Sequence, residues 1–168
     1  ETYPHVYAAV GVHPEHCAGF GEAALSALRQ LAARPKVIAI GEIGLDYYWE
    51  QNPPREIQRQ AFRAQLALAR ELDLPVIVHD REAHGDTLDL LREFPAVRGV
   101  LHCFSGSPEM ARALAERGWY VGFDGPVTYK NARKSLEAAA AVPRDRLLLE
   151  TDSPYLSPVP LRGRRNDS

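Results

Sequence analysis

The sequence has little of most things that would mark a specialised chain. Its two cysteines, Cys17 and Cys103, are too few for a disulfide framework and suit a reducing compartment. No apolar run approaches the roughly 18 residues of a membrane span and no signal-peptide pattern opens the chain, so a cytoplasmic protein without membrane contact is expected. Neither sign of charge dominates: 20 Lys and Arg stand against 22 Asp and Glu, and the net charge of -2 gives no global pull toward nucleic acid or acidic membranes. Any polyanion must be met by a local patch. Disordered and collagen-like classes are excluded by 45% hydrophobic and 25% charged side chains over 168 residues, the composition of one soluble domain with a core. Methionine is scarce as well. The only one is Met110 and the chain starts at Glu1, which reads as an excerpt of a longer chain.

What is present is alternation. Apolar runs rich in Val, Ile and Leu recur at residues 6 to 12, 37 to 45, 75 to 78, 97 to 101, 119 to 123 and 146 to 149. Each is continuous, as in parallel strands covered on both faces. Helical spacing occupies residues 22 to 33, 54 to 72, 83 to 93, 108 to 117 and 131 to 141. Pro54 suits a first helical turn, Ser107-Pro108-Glu109 reads as a cap with Pro at N1, and Gly118 follows a helix end at Arg117. Such a strand-helix order predicts an α/β domain with a parallel sheet and right-handed crossovers. Length alone favours an open sheet, because a (β/α)8 barrel typically needs about 250 residues.

The polar residues at the strand ends point the other way. His13, Glu42, His79, His102 and Asp152 each close a predicted strand. By two-residue parity Glu42 shares the face of Ile40, His79 that of Ile77, His102 that of Val100, and Asp152 that of Glu150 and Leu148. A lone histidine at a strand end is usually a hydrogen-bonded structural residue, and an Asp before Ser-Pro, as at Asp152, is often a turn residue. Ligand-type groups at equivalent ends of separate strands converge only where a barrel gathers those ends at one mouth. Imidazole mixed with carboxylate suits divalent zinc, manganese, nickel or magnesium. Parity sends Cys103, next to His102, to the opposite face, and Cys17 lies in a loop with His16 and no second sulfur nearby, so both cysteines are left out of the site.

These segments resemble the TatD-type metal-dependent deoxyribonucleases, a family of amidohydrolase-like TIM barrels. The resemblance runs through VGVHP (10 to 14), AIGEIGLDYY (39 to 48), QRQAFRAQLALARELDLPVIVHDREA (58 to 83), GVLHCFSGS (99 to 107), GFDGPVTYKNAR (122 to 133) and LLLETDSPYLSPVPLRGRRND (147 to 167). It implies two divalent ions, with Glu42 bridging them, His79 and His102 ligating one, and Asp152 ligating the other and serving as general base. It also implies hydrolysis of phosphodiester bonds in DNA, as a 3′ to 5′ exonuclease acting on single-stranded ends. Members of the family begin with a strand carrying His-x-His. None precedes Glu42 here, and His13 and His16 have a different spacing. Residues 1 to 168 are therefore expected to form a single metal-dependent hydrolase domain holding strands three to eight of a TIM (β/α)8 barrel, without the first two strands and the closing C-terminal helices. Other readings are an amidohydrolase-type enzyme for small amides or esters, and a non-catalytic binding domain. A monomer is expected.

Further residues are candidates for substrate. Ser105-Gly106-Ser107 leads into a helix N-terminus, where backbone N-H groups suit an anion, and Lys130 is a point charge for phosphate. The bland reading of the first is a capped helix start. Arg81 is two residues beyond His79 and suits a phosphate or a carboxylate such as Glu150. Tyr47, Tyr48, Trp49 and Tyr155 offer rings for base stacking, or are ordinary rim residues. His13 and Asp46 are candidate contacts for substrate or water. The tail LRGRRNDS (161 to 168) carries Arg162, Arg164 and Arg165, which read equally as a local nucleic-acid contact or a floppy terminus.

Overall fold

The structure, a computed structural model, describes residues 3–167. Glu1, the residue that suggested an excerpt, and Ser168, the last residue of the arginine-bearing tail, lie outside the described residues, as does Thr2. The chain forms two compact units, one ending at Gly99 and one starting at Val100.

The first unit contains β1 (Ala8–Val10), a 3-10 turn (Pro14–Gly19), α1 (Glu22–Ala32), β2 (Val37–Asp46), α2 (Arg55–Leu72), β3 (Val76–Arg81) and α3 (His84–Glu93). Its strands pair in parallel in the order β1, β2, β3. The apolar stripe of α2, with Phe62, Leu66 and Ala69 fully buried, packs on β2, where Ile40, Ile43 and Leu45 are also fully buried. Each such large side chain contributes about 1.5–3 kcal/mol of burial free energy. The same helix buries two amides. Gln65 accepts from Val12 N (2.7 Å) and donates to Val12 O (3.1 Å), and Gln58 accepts from Asp46 N (2.8 Å) and donates to Asp46 O (2.9 Å). The chain leaving β1 and β2 is thus pinned by side chains two turns apart on α2.

The second unit takes in most of β4 (Gly99–Leu101), then α4 (Pro108–Glu116), β5 (Tyr120–Phe123), a 3-10 turn (Gly125–Thr128), α5 (Arg133–Ala141) and β6 (Leu147–Leu149). Its strands are again parallel, β4 with β5 and β5 with β6. Leu101, Leu114, Trp119 and Val121 form its core. Ser107 caps α4 as expected, accepting from Met110 N at 3.2 Å with Pro108 at the first turn, and Gly118 ends the helix at φ +83°.

Two expectations need correction. The run 6 to 12 is a strand only over Ala8–Val10, since Val6 and Tyr7 are exposed and Val12 bonds to Gln65 instead of a neighbouring strand. Nor is every strand covered on both faces, for Leu149 is 83% exposed. Among the described residues no helix is long and apolar enough to cross a membrane.

One glycine sets the spacing of the strands that carry the site. Gly44 pairs with His79, has φ +142°, and a Cβ there would lie 1.9 Å from His79 O. Gly44→Ala is expected to cost about 2 kcal/mol or more, read as a lower midpoint of urea unfolding. An unchanged midpoint would contradict so close an approach of β2 and β3.

Candidate metal centre

Each unit carries a cluster of imidazole and carboxylate groups at the ends of its strands. In the first unit His79, on β3, lies between two carboxylates from β2. Its Nδ1 is 3.0 Å from Glu42 Oε1 and its Nε2 is 3.0 Å from Asp46 Oδ2. The ring of His13 crosses that of His79 edge-on with centroids 4.5 Å apart, and His13 Nε2 is 3.8 Å from Glu42 Oε1. His13 Nδ1 accepts from Glu15 N at 3.3 Å, which orients the ring at the start of the 3-10 turn. Asp46 is fully buried, and its Oδ1 accepts from Tyr48 N at 3.0 Å. Asp46, a candidate contact for substrate or water, lies against His79.

The charges in this cluster follow from the contacts. Burial opposes the charged form of His79, but the hydrogen bonds and charges of Glu42 and Asp46 outweigh it and raise its pKa. His13 goes the other way: burial and the neighbouring His79 lower it. One ring is thus set up to hold a proton between carboxylates and the other to remain neutral. The side chains of His13, Glu42 and His79 each bring a ligand atom within 4.8 Å of the others. Two imidazoles and a carboxylate are a donor set that divalent transition ions take, so the residues present fit the ion that the sequence implied. A second group, His13 with Glu15 and His16, also comes within that distance, though Glu15 and His16 are exposed.

In the second unit His102 follows β4 directly. Its Nδ1 is 3.0 Å from Glu150 Oε2 and its Nε2 is 3.4 Å from Asp152 Oδ1. Glu150 also accepts from Cys103 N at 2.6 Å. Gly122 gives the glutamate its room, because a Cβ there would lie 2.3 Å from Glu150 Oε1. Asp124, just past β5, is 7% exposed, and its Oδ2 is a buried oxygen without a hydrogen bond. Burial first, then the charge of Glu150, raises its pKa even though the Cys103 thiol bonds to it. Cys103 corrects the parity reading. Strand geometry stops at Leu101 and Cys103 has φ +45°, so its thiol turns to Asp124 and does not face away from the cluster. Burial pushes that thiol up, which keeps it protonated.

The remaining candidates are scattered. Ser105 is exposed, whereas Gly106 is buried against Phe104 and Met110. Lys130 is exposed beyond the 3-10 turn, and Tyr155 is 70% exposed on a turn closed by Tyr155 N donating to Asp152 O at 2.7 Å. Arg81 has no ion pair among the described residues and stacks on Tyr48 instead, 3.9 Å from the ring centroid. Tyr47 turns aside, its hydroxyl donating to Asp86. The arginine tail is anchored: Ser157 Oγ donates to Arg164 O at 2.6 Å and Asn166 is buried. Glu150 and Asp124 were not read as site residues. The signal for the first was its parity with Asp152, and for the second its position at the end of a strand.

The TatD related DNase family matches residues 1–168. The chain belongs to that family. It is 47% identical over 169 residues to YabD of Bacillus subtilis, named an uncharacterized metal-dependent hydrolase, covering 99% of this chain and 66% of the relative. It is 41% identical over 172 residues to the Escherichia fergusonii protein named 3'-5' ssDNA/RNA exonuclease TatD, covering 98% and 66%. The crystal structure of YjjV, a TatD homolog from Escherichia coli, superposes with a TM-score of 0.89 at 36% identity, over 98% of this chain and 64% of that one. The α/β barrel class expected from the strand ends is therefore the fold of this family. The match runs from the first residue to the last, and the expectation that the chain lacks the family's opening strands and closing helices is not borne out by it. The chain spans about two thirds of the length of these relatives.

The raised His79 supplies a test. Its pairing with Glu42 and Asp46 contributes stability that is fully present below the ordinary value of 6.5 and is lost as pH rises through the higher folded value. A divalent ion that takes this ring displaces its proton. Calorimetry of zinc binding at pH 6.5, in buffers of different ionisation enthalpy, is expected to show net proton release, reduced by Asp46→Asn. Binding without proton release would contradict the paired, protonated ring.

Proposed function

We propose that the chain acts as a metal-dependent hydrolase domain cleaving phosphodiester bonds of single-stranded DNA, as a 3′ to 5′ exonuclease using two divalent ions. The observation that carries this reading is the doubling of one motif, a histidine set between two carboxylates: His79 with Glu42 and Asp46, and His102 with Glu150 and Asp152. A single such group is common as a structural pair. Two of them, each at the ends of parallel strands in a chain of this family, support a hydrolytic centre. The name of the Escherichia fergusonii relative supports a nucleic-acid substrate and the direction of cleavage.

In this proposal Glu42 and His79 in the first unit, and His102 and Asp152 in the second, would hold the ions. Bound divalent ions supply Lewis acidity toward water and toward the phosphoryl oxygens. The chain's own groups do the rest. Asp152, whose side chain is 36% exposed against 20% for Glu150, takes the proton from the attacking water. Lys130, and backbone N-H groups of the Ser105-Gly106 turn ahead of α4, receive the charged phosphate oxygens. Tyr155 borders Asp152 along the chain and meets the adjacent nucleotide. Both cysteines are free, which supports a reducing, cytoplasmic setting.

Glu42→Ala and His102→Ala are each expected to cut release of 3′ nucleotides from a single-stranded oligonucleotide by about a hundredfold or more. EDTA should do the same, reversibly. Undiminished nuclease activity in both variants would overturn the assignment.

A further inference from the structure

We propose that Tyr48, Trp49 and Arg81 form a subsite that holds one unpaired base and its phosphate beside the His79 cluster, and so selects single-stranded over duplex ends. This rests on the nucleic-acid reading above and gives it a specificity element.

Three observations carry it. The first is an arginine without a counter-charge. In the same unit Arg29, Arg59, Arg63, Arg92 and Arg98 each meet a carboxylate, whereas Arg81, like Arg34, Arg55 and Arg70, has no ion pair among the described residues. It is held by two rings instead, with Cζ 3.9 Å from the Tyr48 centroid and 5.3 Å from that of Trp49. Stacking occupies a face of the guanidinium and leaves its in-plane N-H donors for an anion, the geometry in which arginine binds phosphate bidentately.

The second observation is exposed aromatic surface. Tyr48 and Trp49 are 50% and 43% exposed and meet edge to face, with centroids 4.7 Å apart at 86°. An exposed indole beside a cation is a platform for any base, because every base has a π face. A paired base cannot use it without leaving its stack. Discrimination against duplex follows from that alone.

The third is rigid connection to the cluster. Tyr48 N donates to Asp46 Oδ1, and Asp46 Oδ2 holds His79. Tyr47 N donates to Arg81 O at 2.9 Å, tying the end of β2 to the end of β3. Asn52 Nδ2 donates to Asp46 O at 3.2 Å, and Gln58 holds the same backbone group from α2. Platform and ligand cluster therefore share one anchor, and little ordering cost remains when a strand binds.

The experiment uses the metal-loaded protein and cleavage-resistant phosphorothioate strands, with binding read by fluorescence anisotropy. Probes are oligo(dT), an abasic strand of equal length and charge, and a blunt duplex. The protein is expected to bind oligo(dT) about tenfold more tightly than the abasic strand or the duplex. Trp49→Ala should abolish that preference, whereas Trp49→Phe should keep it by preserving a ring. Arg81→Ala should weaken oligo(dT) and abasic strands alike. Equal binding of oligo(dT) and abasic strand by the unmodified protein, or an undiminished preference in Trp49→Ala, would overturn the subsite. Failure of the nuclease reading shows separately, as an unmodified protein that cleaves no phosphodiester strand while the base preference persists.

Discussion

His79 sits between Glu42 and Asp46 with each of its ring nitrogens 3.0 Å from a carboxylate oxygen, and much of the first unit is arranged so that it can. A buried carboxylate is costly unless its lone pairs are satisfied. Asp46 is fully buried, and its side chain meets both His79 and the Tyr48 N-H while Gln58 satisfies its backbone on both sides. Gln58 is itself buried on α2, whose apolar stripe docks on β2. The position of an imidazole at the end of β3 is therefore set by the helix that precedes that strand. Gly44 completes the arrangement by letting β2 approach β3 at the residue paired with His79.

The second unit reaches a similar pairing by other means. Among the described residues no glutamine or asparagine side chain is seen to pin Glu150. It is placed by the Cys103 N-H on one oxygen and His102 on the other, in a space that exists because position 122 has no side chain. The left-handed turn at Cys103 makes that N-H available, since a continuing strand would have directed it elsewhere. The same turn brings the thiol to Asp124, a residue whose burial already disfavours its charge. A thiol kept protonated there is a hydrogen-bond donor to the carboxylate and not a nucleophile.

How far the sequence could be read depended on whether a feature was periodic. Among the described residues the five α-helices and six strands fall where apolar spacing puts them, within a few residues, because burial of one helix face or of a parallel strand leaves a repeat that survives in composition. The histidines and carboxylates were legible because they interrupt apolar runs at equivalent points. What could not be read lies just past the strand ends. Parity is a property of pleated backbone, and it fails once β4 stops at Leu101, which misplaced Cys103. In β2 the register itself shifts between Ile40 and Ile43, around Glu42. Gln58 and Gln65 are polar positions on an amphipathic helix, yet both are buried and each closes the backbone of a strand end. A buried amide leaves no periodic trace, and only the contact reveals it.

The near-neutral charge of the chain takes on a sharper meaning from the two clusters. On the proposed reading, a phosphodiester approaching His79 meets Glu42 and Asp46, and one approaching His102 meets Glu150 and Asp152. Two like charges 4 Å apart repel by about 4 kcal/mol at an effective dielectric of 20, a tenfold change in affinity for every 1.4 kcal/mol. Arg81 and Lys130 cannot offset that many carboxylates. Divalent cations at these residues are then a condition for substrate to bind at all, as well as for its hydrolysis. An arginine that stacks on a ring without a carboxylate partner is consistent with this balance, because a paired Arg81 would present no net charge to steer a strand toward His79.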